Sequence, residues 1–286
     1  MAVVREFDPW KDPLCTCPKK YGLNPYTGCS HSCVYCYISS YIPNAFEARE
    51  KKDLISKVER DIEKMDSNTI ISMSNSSDPY PPVEAKLGLT RKCLEIISKK
   101  GCRVQIITKS NIVARDFDVL KKIPCVVSFT VTTIDDSLAR RLEPGAPKPS
   151  LRLATIKTLS KRVPTSLRLD PIIPFVNDDE VREIVEVASE AGVSHVTAST
   201  FKPRLDGWRR FSSAFPDEAL KLRDLYFNKG EKRRGWYLPK KIREDLMRSV
   251  RAACLETGVT FSSCREGLPH LNTGGTCDGT HLIKTT

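Results

Sequence analysis

Between residues 52 and 200, short apolar runs alternate with segments in which apolar residues return at every third or fourth position. Leu54, Ile55, Val58, Ile62 and Met65 line one face of an amphipathic helix over 52–65, and the run Thr-Ile-Ile-Ser-Met at 69–73 reads as a buried strand. The same alternation predicts helix 90–99, strand 103–108, helix 114–122, strand 125–131, helix 150–160, strand 165–169, helix 178–190 and strand 195–199. A short first strand at 21–24 brings the number of strands to six. Strands separated by helices are joined by parallel β/α connections, so the pattern predicts an α/β fold.

Polar residues follow every apolar strand: Ser74 to Tyr80, Thr108 to Ser110, Thr132 and Thr133, Arg168 to Pro171, and Ser199 with Thr200. In β/α barrels the functional groups lie at the carboxyl ends of the strands. Loops are polar in any case, but taken together Ser76, Asp78, Lys109, Ser110, Thr132, Arg168 and Asp170 would converge on one rim. Tyr80 is a further candidate there. The proline-rich connection Leu142 to Pro149 reads as a rigid turn, with Glu143 a candidate to face the site.

Beyond residue 200 the pattern changes. Residues 201–235 mix basic and aromatic side chains, a helix is predicted over 238–256, and 259–261 is a candidate strand. Between Lys202 and Arg251 fifteen Lys and Arg stand against seven Asp and Glu, and the whole chain carries a formal net charge of +11. Such a surface suits polyanions, and interleaved aromatics could stack on bases; Tyr226 and Phe227 read equally well as the core face of a helix. The expected division is an arm at 1–20, a barrel at 21–200 and a basic helical extension at 201–286.

With 286 residues, 40% of them apolar, a sizeable core can form. No apolar run approaches the roughly 20 residues that span a bilayer, and Arg5, Glu6 and Asp8 are unlike the start of a signal peptide. A cytoplasmic protein with no membrane partner is expected. In a reducing compartment the eleven cysteines point to metal or catalysis before disulfides.

Three of them, Cys29, Cys33 and Cys36, fall within eight residues in a C-x3-C-x2-C spacing. A [4Fe-4S] cube usually takes four thiolates, so three close cysteines suggest an open iron. Zinc with His31 as a fourth ligand, or an electron-transfer cluster with a remote fourth cysteine, would use the same loop. Cys93, Cys102, Cys125 and Cys254 fall in apolar segments and read as core. Cys15, Cys17, Cys264 and Cys277 are left over, the number needed for a tetrahedral zinc or a second iron–sulfur cluster formed between the N-terminal arm and the C-terminal tail.

The run Asn-Pro-Tyr-Thr-Gly-Cys-Ser-His-Ser-Cys-Val-Tyr-Cys-Tyr at 24–37, with Ser-Asp-Pro-Tyr-Pro-Pro at 77–82, Thr-Lys-Ser at 108–110 and Arg-Leu-Asp-Pro-Ile-Ile-Pro at 168–174, resembles the radical S-adenosylmethionine (SAM) superfamily. Within it the motifs resemble the spore photoproduct lyase-like group, often labelled DNA repair photolyases. The resemblance implies a partial (β/α)6 barrel with Cys29, Cys33 and Cys36 on a [4Fe-4S] cluster and SAM as cofactor. It also implies cofactor contacts from Tyr35, Ser76, Asp78, Lys109, Ser110 and Thr132, catalytic or substrate-side roles for Arg168, Asp170 and Tyr80, and an electron donor of ferredoxin or flavodoxin type. Reductive cleavage of SAM would give a 5'-deoxyadenosyl radical that removes hydrogen from a substrate, with DNA or RNA as the candidate class. Asn75 stands where the lyase carries its hydrogen-returning cysteine, so a relative with another substrate is expected. A non-enzymatic iron–sulfur or zinc protein that binds nucleic acid is the alternative.

Overall fold

The computed structural model describes residues 2–7, 12–73 and 76–284; Ser74 and Asn75, and with them the expectation attached to Asn75, lie outside the described residues. The main sheet has eight strands that neighbour one another in chain order: β1 (Val4–Glu6), β2 (Tyr21–Leu23), β3 (Ile70–Met73), β4 (Arg103–Thr108), β5 (Cys125–Thr130), β6 (Thr165–Ile172), β7 (His195–Thr200) and β8 (Thr260–Ser263). From β2 to β8 every pairing is parallel, and β1 closes the near edge antiparallel to β2. Because spatial order follows chain order, each β/α crossover advances the sheet in one direction, which curls it into a partial barrel. All six expected strands are present, and the sheet gains one strand on each side.

Alternation within the strands decides what fills the barrel. The apolar set, among them Val104, Ile106, Val127, Phe129, Leu167, Leu169 and Val196, is fully buried in the main core, to which Val58 and Ile62 of helix Leu54–Glu63 and Ile184 and Val185 of helix Val181–Glu190 also belong. Each such side chain contributes about 1.5–3 kcal/mol. The other set, Ser72, Gln105, Ser128, Ser166, Thr197 and Ser262, is polar and equally buried, each 0% exposed. Buried polar groups need partners, and the C-terminal tail supplies several of them. Gln105 donates to the Asp278 carbonyl at 2.7 Å, Thr197 to the Cys277 carbonyl at 3.0 Å and Ser262 to the Thr276 carbonyl at 3.4 Å. Lys20 from the N-terminal arm donates to Gln105 at 2.9 Å and pairs with Asp278. A Cβ at Gly279 would lie 3.2 Å from Ser166 Oγ, so the tail enters the barrel where only a bare backbone fits comfortably.

The extension is helical and basic, yet its last part returns to the barrel. Helix Lys240–Glu256 adds Met247, Val250 and Cys254 to the main core and leads into β8. Ahead of it, helices Leu205–Ala214 and Pro216–Phe227 build a second core around Phe201, Phe211, Phe215, Leu222 and Tyr226. Tyr226 thus lies on the core face of its helix, with Phe227 partly buried against the same core. Trp208 packs against Phe211, Tyr226 and Phe227 with ring centroids 5.8, 5.7 and 4.9 Å apart, and Trp208 and Phe227 are half-buried at the flank of this core. Many of the basic residues are paired within the fold, including Lys202 and buried Arg243 with Glu266, Arg210 with Asp206, Lys229 with Asp224 and Arg248 with Glu244. Among the described residues no helix is long and apolar enough to cross a membrane.

Candidate active site

At the carboxyl ends of the strands lies a cavity of about 970 Å³. The loop after β2 reaches it through a turn at Gly28, whose φ of +76 and distance of 2.2 Å from a built Cβ to the Glu47 carbonyl admit glycine alone. Cys29 follows and donates its N–H to the Ala45 carbonyl at 2.8 Å; Cys36 donates to Cys33 at 3.1 Å and Val34 to Leu142 at 2.9 Å. The proline-rich connection packs directly on this loop: Gly145 donates to the His31 carbonyl at 3.0 Å, and a Cβ there would meet Ser30 O at 2.1 Å. Cys29, Cys33 and Cys36 all line the cavity.

Glu143 lies buried behind the cavity wall rather than on it, and anchors the loop from there. It pairs with Arg152 at 2.5 Å, accepts from Thr132 Oγ1 at 2.9 Å, accepts from the Tyr35 hydroxyl, and lies 3.9 Å from Lys109 Nζ. Burial alone would raise its pKa, but Arg152 and Lys109 hold it down to about 2. Arg152, from helix Pro149–Leu159 and 1% exposed, is a site-supporting residue that pattern reading missed, because an arginine in a helix gives no sign of facing inward. Lys109 sits over the Tyr35 ring at 5.7 Å; although burial opposes its charge, Cys33 and Glu143 keep it above the ordinary amine range.

Asp78 clasps three strand ends together. Its oxygens accept from Tyr80 N at 2.8 Å, Thr108 Oγ1 at 2.6 Å and Lys109 N at 2.8 Å, and lie 3.4 Å from His31 Nδ1. Burial lowers the His31 pKa, Asp78 notwithstanding, which favours a neutral ring.

The structure places the predicted residues unevenly. Tyr35, Ser76, Asp78, Lys109, Arg168 and Asp170 line the cavity, and Arg168 and Asp170 form an ion pair at 2.7 Å. Ser110, Thr132 and Tyr80 are not among its lining residues. Ser110 caps the turn at Asn111–Asp116 by accepting from Ile112 N at 3.3 Å, while Thr132 is occupied by Glu143. Tyr80 is 0% exposed, and its ring belongs to the main core rather than to the cavity wall; that corrects its assignment as a catalytic residue. Cys15, Cys17 and Cys264 reach the same cavity, and the Cys277 thiol lies 3.5 Å from that of Cys17.

The donor set of the loop fits an iron–sulfur cluster. Burial pushes all three thiols above their ordinary range, Cys29 to about 12, so an empty loop keeps neutral thiols and a metal centre supplies the charge that deprotonates them. Lys109 opposes the burial effect at Cys33 and Cys36. Among the described residues no three His, Cys, Asp or Glu side chains converge tightly enough for a single metal ion, whereas a cluster spans wider sulfur separations.

A model of the radical SAM superfamily matches residues 23–188, more than half of the chain. The chain belongs to the radical SAM superfamily. An uncharacterized protein of Mycobacterium tuberculosis is 25% identical to it over 254 residues, covering 82% of this chain and 73% of that one. An uncharacterized protein of Methanocaldococcus jannaschii is 31% identical over 166 residues, 56% of this chain and 63% of that one. Among solved structures, this radical SAM enzyme is similar in fold to a spore photoproduct lyase variant with AdoMet and dinucleoside spore photoproduct bound, at 18% identity and a TM-score of 0.65 over 83% of this chain and 74% of that one. It is also similar to Streptococcus suis SuiB bound to S-adenosylmethionine, at 13% identity and a TM-score of 0.59 over 85% of this chain and 49% of that one.

Proposed function

We propose that this enzyme cleaves SAM reductively at a [4Fe-4S] cluster held by Cys29, Cys33 and Cys36, and acts on an anionic substrate of the nucleic-acid class. The observation that carries the reading is the cavity wall, where the three thiols stand among twelve Lys and Arg side chains against six Asp and Glu. When bound, the cluster and SAM supply a 5'-deoxyadenosyl radical that takes hydrogen from a substrate.

The chain's own residues bind and orient. Cys29, Cys33 and Cys36 donate three thiolates; Glu143, with Arg152 and Thr132 behind it, fixes Tyr35 and Lys109 against the loop. Ser76, Lys109 and Tyr35, on the cavity wall, would hold the cofactor, whereas Asp78 and Ser110 hold the strand ends that present them. The Arg168–Asp170 pair serves the substrate side, and Arg204 and Arg234 at the same cavity favour phosphate groups. Electrons arrive from a ferredoxin or flavodoxin type of donor. Eleven unpaired cysteines support a reducing, cytoplasmic setting.

The test is anaerobic. Reconstituted protein with dithionite and SAM should release 5'-deoxyadenosine, and a chain with iron bound but no product contradicts the reading. Binding to mixed single-stranded DNA and RNA tests the substrate class separately: affinity should fall steeply as salt rises, and salt-independent or absent binding removes nucleic acid from the proposal.

A further inference from the structure

Four thiols belong neither to the Cys29–Cys36 loop nor to the hydrophobic core. Cys93, Cys102, Cys125 and Cys254 are at most 3% exposed and sit in the main core. Cys15, Cys17 and Cys264 are half-buried and open on the active-site cavity, and Cys277 is buried directly behind Cys17. The N-terminal arm brings the first two, and the tail that fills the barrel brings the others.

The four form one neighbourhood. Cys277 Sγ and Cys17 Sγ are 3.5 Å apart, Cys15 stands two residues from Cys17 on the same arm, and Cys15, Cys17 and Cys264 line one cavity wall. Backbone bonds fix each segment. Cys264 donates to Ala198 O at 2.8 Å beside the end of β7, the Cys277 carbonyl accepts from Thr197 at 3.0 Å, and Cys15 donates to Asp12 O at 2.9 Å. Cations stand nearby: Lys20 pairs with Asp278, the residue after Cys277, and an Arg168 nitrogen is 4.0 Å from Cys264 Sγ. Unlike the core cysteines, these thiols belong to neither hydrophobic core cluster. A Cys17–Cys277 disulfide would use two and leave two.

We propose that Cys15, Cys17, Cys264 and Cys277 form a second metal centre, bound through four thiolates and separate from the Cys29–Cys33–Cys36 site. The ligand class is a thiolate-preferring metal, either one tetrahedral zinc or an iron–sulfur cluster. Because the four do not yet converge on one point, binding draws Cys15 and Cys264 toward the Cys17–Cys277 pair. The consequence is mechanical. The metal staples the arm to the tail and so fixes one wall of the active-site cavity, since metal binding to a site built from distant segments is folding energy.

The test isolates this centre from the first. A Cys29→Ala, Cys33→Ala, Cys36→Ala chain, reconstituted anaerobically with iron, sulfide and zinc, should retain about one zinc, or about two to four irons with matching sulfide. Adding Cys264→Ser and Cys277→Ser should remove it. In the wild-type holoenzyme, Cys264 and Cys277 should resist alkylation until a chelator is added, and chelation should open the arm to limited proteolysis. A folded triple variant that binds neither metal overturns the proposal. So does metal that survives loss of Cys264 and Cys277, rapid alkylation of both thiols in the wild-type holoenzyme, or a Cys17–Cys277 disulfide found by mass spectrometry in anaerobically purified, metal-free protein.

Discussion

The two sets of cysteines reach one cavity by different routes. Cys29, Cys33 and Cys36 come from eight consecutive residues, on a loop held by glycine-only turns and by a buried network of Glu143, Arg152, Lys109 and Tyr35. Cys15, Cys17, Cys264 and Cys277 come from segments about 250 residues apart in chain terms, and only the packing of the tail inside the barrel brings them together. The first set is preorganised before any metal arrives. The second depends on two segments staying docked, so the two should respond differently to the same kind of damage.

The largest difference is expected from losing a ligand. Cys33→Ser should abolish cluster assembly and 5'-deoxyadenosine formation together, while the Cys264→Ser, Cys277→Ser chain should keep the iron of the first site. Iron analysis of both decides it, and equal loss would mean that the two sets are one site.

Next comes the charge network, which only the first set has. Glu143→Gln leaves Arg152 and Lys109 without their counter-charge, and breaking a buried pair in this way costs about 3–5 kcal/mol, read by urea unfolding of the metal-free chain. The sign follows from the depressed pKa. The folded-state value of about 2 lies below the ordinary 4.5, so the stabilisation is complete above pH 4.5 and is lost as pH falls towards 2. The gap between wild type and variant should narrow across that window; a constant gap would mean that the carboxylate charge is irrelevant.

Backbone substitutions give a smaller contrast. Gly28→Ala forces a side chain onto the Glu47 carbonyl at positive φ and should cost about 1–3 kcal/mol and lower iron loading. Gly267→Ala, beside the second set, has the same sign of φ but only Leu14 at 3.5 Å, and should cost about 1 kcal/mol with iron loading unchanged. The smallest effect belongs to Tyr80→Phe. It removes one buried core hydroxyl that has no hydrogen-bond partner among the described residues, should change stability by no more than about 1 kcal/mol, and should leave 5'-deoxyadenosine yield unchanged; lost product would restore Tyr80 to the site.

Much of the first region is legible in sequence because its signals are local. The three-thiol spacing, the strand-end polar residues and the period-2 and period-3.6 alternations each occupy fewer than about twenty residues, and the six barrel strands follow from them. What local reading misses is long-range. Arg152 looks like any helical arginine, the buried Ser72, Gln105 and Thr197 look like ordinary strand polarity, and nothing near Thr276–Thr280 announces that this tail fills a barrel. The aromatic and basic residues after 200 stay ambiguous for the same reason, since composition alone does not distinguish a stacking surface from a second core whose charges are paired.

The measurement that bears most directly on the central claim is electron paramagnetic resonance of the dithionite-reduced protein titrated with SAM, in the Cys264→Ser, Cys277→Ser background so that one centre contributes. A three-cysteine cluster with an open iron predicts a [4Fe-4S] signal that shifts as SAM is added and is absent after Cys33→Ser. A signal indifferent to SAM, or one that survives Cys33→Ser, would contradict the account.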